Sequence, residues 1–88
     1  MFEITFTSQF KKDFKRLSNN AKDFKLIDEA LKILRTEGAL NDSKYKTHNL
    51  LGTYKNHFDS HIRPDLILVW KKSGKTISLA RICSHSEL

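Results

Sequence analysis

Asp65-Leu66-Ile67-Leu68-Val69-Trp70-Lys71 runs into Lys72-Ser73-Gly74-Lys75 and then into Thr76-Ile77-Ser78-Leu79-Ala80-Arg81-Ile82-Cys83. The run Leu66 to Trp70 is apolar at every position, so both of its faces must be covered, as in an interior strand. The polar tetrapeptide with Gly74 makes a hairpin turn, which brings residues 76–83 back as an antiparallel neighbour. On the other side, Ile62-Arg63-Pro64 reverses the chain, because proline fixes its own φ and has no N–H to donate. The residues before that turn, about 53–61, predict the second neighbour. An interior strand with a hairpin partner on each side dictates a mainly antiparallel sheet.

Outward from that sheet, the first half of the chain supplies its cover. Phe2, Ile4 and Phe6 alternate with Glu3, Thr5 and Thr7, the period of a half-buried strand. Ser8 is an expected N-cap, after which Phe10, Phe14 and Leu17 recur at helical spacing. Lys11, Lys12, Lys15 and Arg16 take the opposite face, and Ser18-Asn19-Asn20 breaks the helix. A longer helix begins at Ala21, with Phe24, Ile27, Leu31 and Leu34 on one stripe and Leu26, Ala30 and Ile33 beside it. Such a wide stripe faces a core, and Gly38 is a natural C-terminal stop. Residues 39–52 show no clean period and form the longest loop, with turn chemistry at Asn41-Asp42-Ser43 and with His48 inside it. The order strand, helix, helix, strand, strand, strand predicts one α+β domain over residues 1–88. Two helices pack on one face of a small, mainly antiparallel four-stranded sheet, and the other face is left for a partner or substrate.

Composition narrows the class. At 88 residues, with 39% hydrophobic and 30% charged side chains, the chain is a single globular domain rather than a disordered tail. Sixteen Lys and Arg against ten Asp and Glu leave a net charge of +6, which favours a polyanionic partner, nucleic acid or acidic protein. Cys83 is the only cysteine, so no internal disulfide is possible, and its strand pattern makes it a packing residue. The start lacks a basic n-region and no apolar run reaches a membrane span. The expectation is a cytoplasmic protein without a membrane partner.

Chemistry concentrates in the second half. The four histidines stand at 48, 57, 61 and 85, and Tyr54-Lys55-Asn56-His57-Phe58-Asp59-Ser60-His61 reads as a strand. Alternate residues share a face, so Lys55, His57, Asp59 and His61 project from one side, and Tyr54, Phe58 and Ile62 from the other. RNA carries its own nucleophile, the 2′-hydroxyl, and needs a base to take its proton. It also needs an acid for the departing 5′-oxygen and a cation for the charged phosphorane. Histidine suits either proton role because its unperturbed pKa lies near neutrality. Arg81 shares a parity with Ile77, Leu79 and Cys83, an unusual place for a charge unless it reaches a ligand, and it is the expected phosphate clamp; an acidic partner explains it equally. Taken singly, His57 reads as a surface residue and Asp65, directly after Pro64, as turn chemistry. The first-helix lysines read as a solvated face.

Metal binding is the competing chemistry. His57 and His61 on one strand stand roughly 13 Å apart, too far to share an ion without a bend. His61 and His85 can meet across the sheet, but no Cys or His pair has zinc-finger spacing. Glycines 38, 52 and 74 are isolated and form no phosphate loop. No metal and no cofactor is expected.

Three segments in order resemble the YafQ branch of the RelE toxin superfamily. They are Lys44-Tyr45-Lys46-Thr47-His48-Asn49-Leu50-Leu51-Gly52, Asp59-Ser60-His61-Ile62-Arg63-Pro64-Asp65 through Trp70, and Arg81-Ile82-Cys83-Ser84-His85-Ser86-Glu87-Leu88. The resemblance implies a RelE-like fold and a type II toxin: a metal-independent endoribonuclease that cleaves mRNA, on the ribosome, and is silenced by a cognate antitoxin. Carried over by position, it implies a catalytic cluster of His48, Asp59, His61, Asp65 and His85, with Arg81 as the basic residue of the last strand. Lys46, Lys55, His57 and Arg63 are the residues expected to hold RNA. The chain departs from the pattern at Phe58, where many relatives carry arginine, at His57, where an aromatic is common, and after His85, where no aromatic follows. Two rival readings on the same scaffold are a non-catalytic RNA- or protein-binding module and a ParE-like inhibitor of DNA gyrase. The histidine cluster argues against the latter, which requires no proton transfer.

Overall fold

Leu66, Ile67, Leu68, Val69 and Trp70 are all buried, as their unbroken apolar run predicts. The structure, a computed structural model, describes residues 1–17, 20–50 and 52–88. The five residues open strand β4, Leu66–Ser73, which is central in a sheet that also contains β1 (Glu3–Phe6), β2 (His48–Asn49), β3 (Phe58–Arg63) and β5 (Thr76–Cys83). The spatial order is β1-β5-β4-β3-β2. β1 runs parallel to β5, and the other pairings are antiparallel. The sheet therefore has five strands rather than the expected four. The fifth is a two-residue pairing inside the 39–52 segment, too short to leave a periodic trace in sequence.

Two helices, α1 (Ser8–Leu17) and α2 (Ala21–Glu37), cover one face. Phe10, Ile27, Ala30 and Leu34 from the helices meet Leu66, Leu68, Trp70, Ile77, Leu79 and Ile82 from the sheet in the main core. The cap of α1 is Thr7, not Ser8: the Thr7 hydroxyl accepts the Phe10 N–H at 3.1 Å. It also lies 3.0 Å from the carbonyls of Leu79 and Ala80, so the same side chain ties the helix start to β5. Ser18 and Asn19 of the expected helix break lie outside the described residues, as does Leu51. Asn20 caps α2, accepting the Asp23 N–H at 3.1 Å. Gly38 ends α2 with φ +77° and donates its N–H to Leu34.

Two local readings of the sequence are corrected. β3 begins at Phe58 instead of about 53, because Gly52–Tyr54 form a 3-10 turn and the His57 N–H closes back on Tyr54. Asn56, at φ +70°, breaks the extended backbone there. Of the four residues expected on one strand face, only Asp59 and His61 alternate on a strand; Lys55 and His57 precede it. In β5, Val69 pairs with Arg81 but Trp70 pairs with Leu79, so Ala80 is an extra residue, a bulge. The bulge moves Arg81 off the face of Ile77 and Leu79 and onto the one that carries Val69. That second face is partly roofed: Leu50 and Tyr54, from the segment between β2 and β3, pack on Ile67, Val69 and Ala80. Among the described residues no helix is long and apolar enough to cross a membrane.

Of the three glycines, Gly38 is the one packed tightly against a side chain. A β-carbon there would lie 2.5 Å from the Phe2 ring, at a φ that L-residues avoid. Gly38→Ala is expected to destabilise the fold by about 1–3 kcal/mol, read as a lower urea midpoint at unchanged m-value.

Candidate active site

Strand register assembles the site on the face away from the helices. His48 pairs with Asp59, Asp59 with Val69, and Val69 with Arg81, one row across four strands. Two residues along, His61 pairs with Ile67 and Ile67 with Cys83. The chain beyond Cys83 then turns through the 3-10 residues His85–Glu87, which carry the last imidazole back over the sheet. The His61 ring lies 5.0 Å from that of His85 and 6.3 Å from that of His48. Three of the four histidines, spread over 38 positions of sequence, therefore stand in line with His61 in the middle.

Asp59 anchors one end of the line. It is 2% exposed, and His48 Nε2 stands 2.9 Å from its Oδ1. The other His48 nitrogen, Nδ1, faces the Lys46 carbonyl at 2.9 Å, which requires a hydrogen on Nδ1. A neutral ring then has no proton left for Asp59, and the buried Oδ1 lacks a donor despite the close approach. The pair is complete only when it holds one further proton, on the imidazole or on the carboxyl. His61 Nδ1 is likewise enclosed without a hydrogen-bond partner. Asp59 Oδ1 and His61 Nδ1 are thus two buried polar atoms on one sheet face with no hydrogen-bond partner among the described residues.

A buried polar relay holds the His48 segment against the sheet. Trp70 Nε1 donates to Ser60 Oγ at 2.9 Å, Ser60 Oγ lies 2.6 Å from Thr47 Oγ1, and Thr47 Oγ1 donates to the Leu40 carbonyl. Thr47 immediately precedes His48, so the relay fixes where β2 begins. Sequence reading missed Thr47, Ser60 and Trp70; a tryptophan in a wholly apolar strand needs a partner for its N–H, and that is the signal for it.

The remaining expected residues divide. Asp65 is exposed and lines a shallow cleft with Arg63, Cys83, Ser84 and Glu87, beside the His85 turn. Among the described residues it makes no hydrogen bond to the three imidazoles. Lys46 joins two clefts: one of about 530 Å³ with His48, Asn49 and Phe58, and one of about 340 Å³ with Lys44, His61 and Arg63. His57 sits apart with its ring edge on Tyr54, and Lys55 lies in the preceding turn. Phe58 stacks on Trp70 at 4.7 Å between ring centres.

Both arginines have acidic partners. Arg63 holds Asp23 through Nε and Nη2 at 2.8 and 3.1 Å. Arg81 holds Asp13 through Nε and Nη2, both at 3.0 Å, and donates Nη1 to the Glu87 carbonyl. Hydrogen bonds from Arg63 draw the Asp23 carboxyl below its usual range. Burial alone pushes the Asp13 carboxyl upward, but donors from Arg81, Gln9 and the Ile82 amide outweigh it and leave it lowered. The Ser84 amide and Arg16 lower Glu87 in the same way. Burial raises the Cys83 thiol, as suits a packing residue. Among the described residues no three His, Cys, Asp or Glu side chains converge on one point.

Comparison with known proteins points one way. A family model described as "Bacterial toxin of type II toxin-antitoxin system, YafQ" matches residues 2–88. The mRNA interferase toxin YafQ of Escherichia coli K12 is 29% identical over 86 residues, which cover 98% of this chain and 94% of the relative. The metal-bound toxin from Helicobacter pylori is 40% identical, with a TM-score of 0.86 over 100% of this chain and 99% of that one. The Escherichia coli DinJ–YafQ complex contains a chain 28% identical, with a TM-score of 0.87 over 100% and 98%.

Asp13, Asp23 and Glu87 all ionise more readily folded than unfolded, so the stability they confer is complete above the ordinary carboxylate range, about pH 4–4.5. It is lost as pH falls through their lower folded values. Urea midpoints are expected to fall with acid below that range. Asp23→Asn should be less stable than the parent at pH 7, with the difference shrinking as pH falls through the lowered Asp23 value.

Proposed function

This chain belongs to the YafQ family of bacterial type II toxins and is an mRNA interferase, and we propose that it cleaves RNA by metal-independent acid–base catalysis across the His48–His61–His85 line. The observation that carries this reading is the line itself, with the incompletely donated Asp59–His48 pair at one end. A phosphodiester laid over His61 has one proton-transfer group on each side. One end, the His48–Asp59 pair or His85, takes the 2′-hydroxyl proton; the 2′-oxygen then attacks phosphorus, and the other end protonates the departing 5′-oxygen. Atoms balance with a 2′,3′-cyclic phosphate and a free 5′-hydroxyl as products. Lys46, in reach of both clefts, meets the phosphate charge, with Arg81 adding its charge from the same sheet face. Asp65 assists from beside the His85 turn. Lys55, His57 and Arg63 hold the flanking strand, Arg63 from its place on Asp23.

The net charge of +6 supports two polyanionic partners. One is message, bound on the ribosome in the cytoplasm. The other is a cognate antitoxin with an acidic toxin-binding segment. The Escherichia coli relative is seen in a DinJ–YafQ toxin–antitoxin complex.

The test is cleavage of a labelled RNA in EDTA, with and without ribosomes, by the parent, His61→Ala and His85→Ala. Each variant is expected to lose about 10²–10⁴-fold in rate, with cyclic or 3′-phosphate ends in the parent reaction. A parent that binds RNA without cutting it in either setting overturns catalysis in favour of a silent RNA-binding module. Cleavage abolished by EDTA overturns the metal-independent mechanism.

A further inference from the structure

Asp13 is a lone acid on the basic helix α1, and it is 1% exposed. Its carboxylate accepts from Arg81 Nε and Nη2, Arg16 Nη2, Gln9 Nε2 and the Ile82 N–H. The Ile82 contact has a topological cause. β1 pairs with β5 only as far as Leu79, so beyond it the outer edge of β5 has no strand neighbour. The helix supplies Asp13 there in place of a backbone carbonyl.

Both arginines on Asp13 continue to Glu87. Arg81 Nη1 donates to the Glu87 carbonyl at 3.0 Å, and Arg16 Nη2 reaches Glu87 Oε2 at 2.8 Å. The other Glu87 oxygen accepts the Ser84 N–H and hydroxyl, each at 3.1 Å, which closes the turn around His85. The His85 ring itself makes no side-chain hydrogen bond among the described residues. Its position over His61 is therefore set by the turn, and the turn is held from α1.

We propose that Asp13 and Glu87 are positioning residues for cleavage: Asp13 orients Arg81 and Arg16, these grip Glu87, and Glu87 fixes the turn that carries His85. The inference rests on the acid–base reading of His85 given above. It assigns Arg81 a second duty, as the link between helix and turn. None of the linking groups touches the RNA phosphate in this role. A displacement of about 1 Å at a proton-transfer group costs on the order of 10²-fold in rate, so the linkage bears on rate more than on RNA affinity.

The experiment is a double-mutant cycle of single-turnover cleavage, with RNA affinity measured in parallel. Asp13→Asn and Glu87→Ala are each made alone and on His85→Ala. Asp13 is buried against two cations and its replacement can unfold the chain; Glu87 is at the surface, so Glu87→Ala keeps the test open. Both variants are expected to lose about 10- to 100-fold in rate at unchanged RNA affinity, and to lose nothing further once His85 is alanine. Equal losses in both backgrounds overturn the proposal, because a general loss of structure does not depend on His85. If His85→Ala alone keeps full rate, the acid–base reading fails instead. The nuclear Overhauser contact between the His61 and His85 rings then decides the linkage by itself. Its loss in folded Glu87→Ala supports the proposal, and its retention overturns it.

Discussion

Strand β4 is apolar on both faces, and the architecture follows from how those faces are covered. Leu66, Leu68 and Trp70 take the two helices. Ile67 and Val69 take Leu50 and Tyr54, from the segment that links β2 to β3. Burial of one such side chain is worth about 1.5–3 kcal/mol, so leaving Ile67 and Val69 in water would cost a small domain much of its net stability. The cover they require is the segment that begins just after His48. The same requirement that completes the core thus brings a catalytic candidate against Asp59.

Polar groups then decide register and angle where apolar packing is indifferent. A tryptophan N–H inside the main core must be satisfied, and Ser60 and Thr47 satisfy it in a chain that ends on the Leu40 carbonyl. On the other side of the sheet, the free edge of β5 needs an acceptor for the Ile82 N–H, and Asp13 provides it. A buried carboxylate is costly unless paired. Its pairing draws in Arg81 and Arg16, and through them the His85 turn. The two ends of the histidine line are therefore held by two separate polar networks, one neutral and one charged. Acid weakens the charged one, while the neutral one has no group to titrate in that range.

Phe58 is absorbed into the core edge by packing its ring on Trp70. Lys44 and Lys46 line the cleft beside His61, together with Arg63, and bring positive charge to it. The metal-bound Helicobacter pylori toxin shares the fold.

Element type and order were legible in the sequence because they depend on local periodicity: the alternation Phe2-Ile4-Phe6, the helical stripe Phe24-Ile27-Leu31-Leu34, and the unbroken run Leu66–Trp70. Gly38 and the hairpin at Gly74 were legible for the same reason, since a left-handed φ is a one-residue property. The candidate residues of the site were legible as types, imidazole and carboxylate, and their identity with a family pattern named them. Their arrangement was not. The bulge at Ala80 reverses the parity that put Arg81 with Ile77 and Leu79, and it arises from pairing with β4. Asp13 lies among the first-helix lysines that read as a solvated face, and nothing in α1 reveals that a strand edge 69 residues away lacks an acceptor. Local pattern determines which elements form; only the packed sheet decides which side chains share a face, because register and edge satisfaction are properties of strands meeting, not of any one strand.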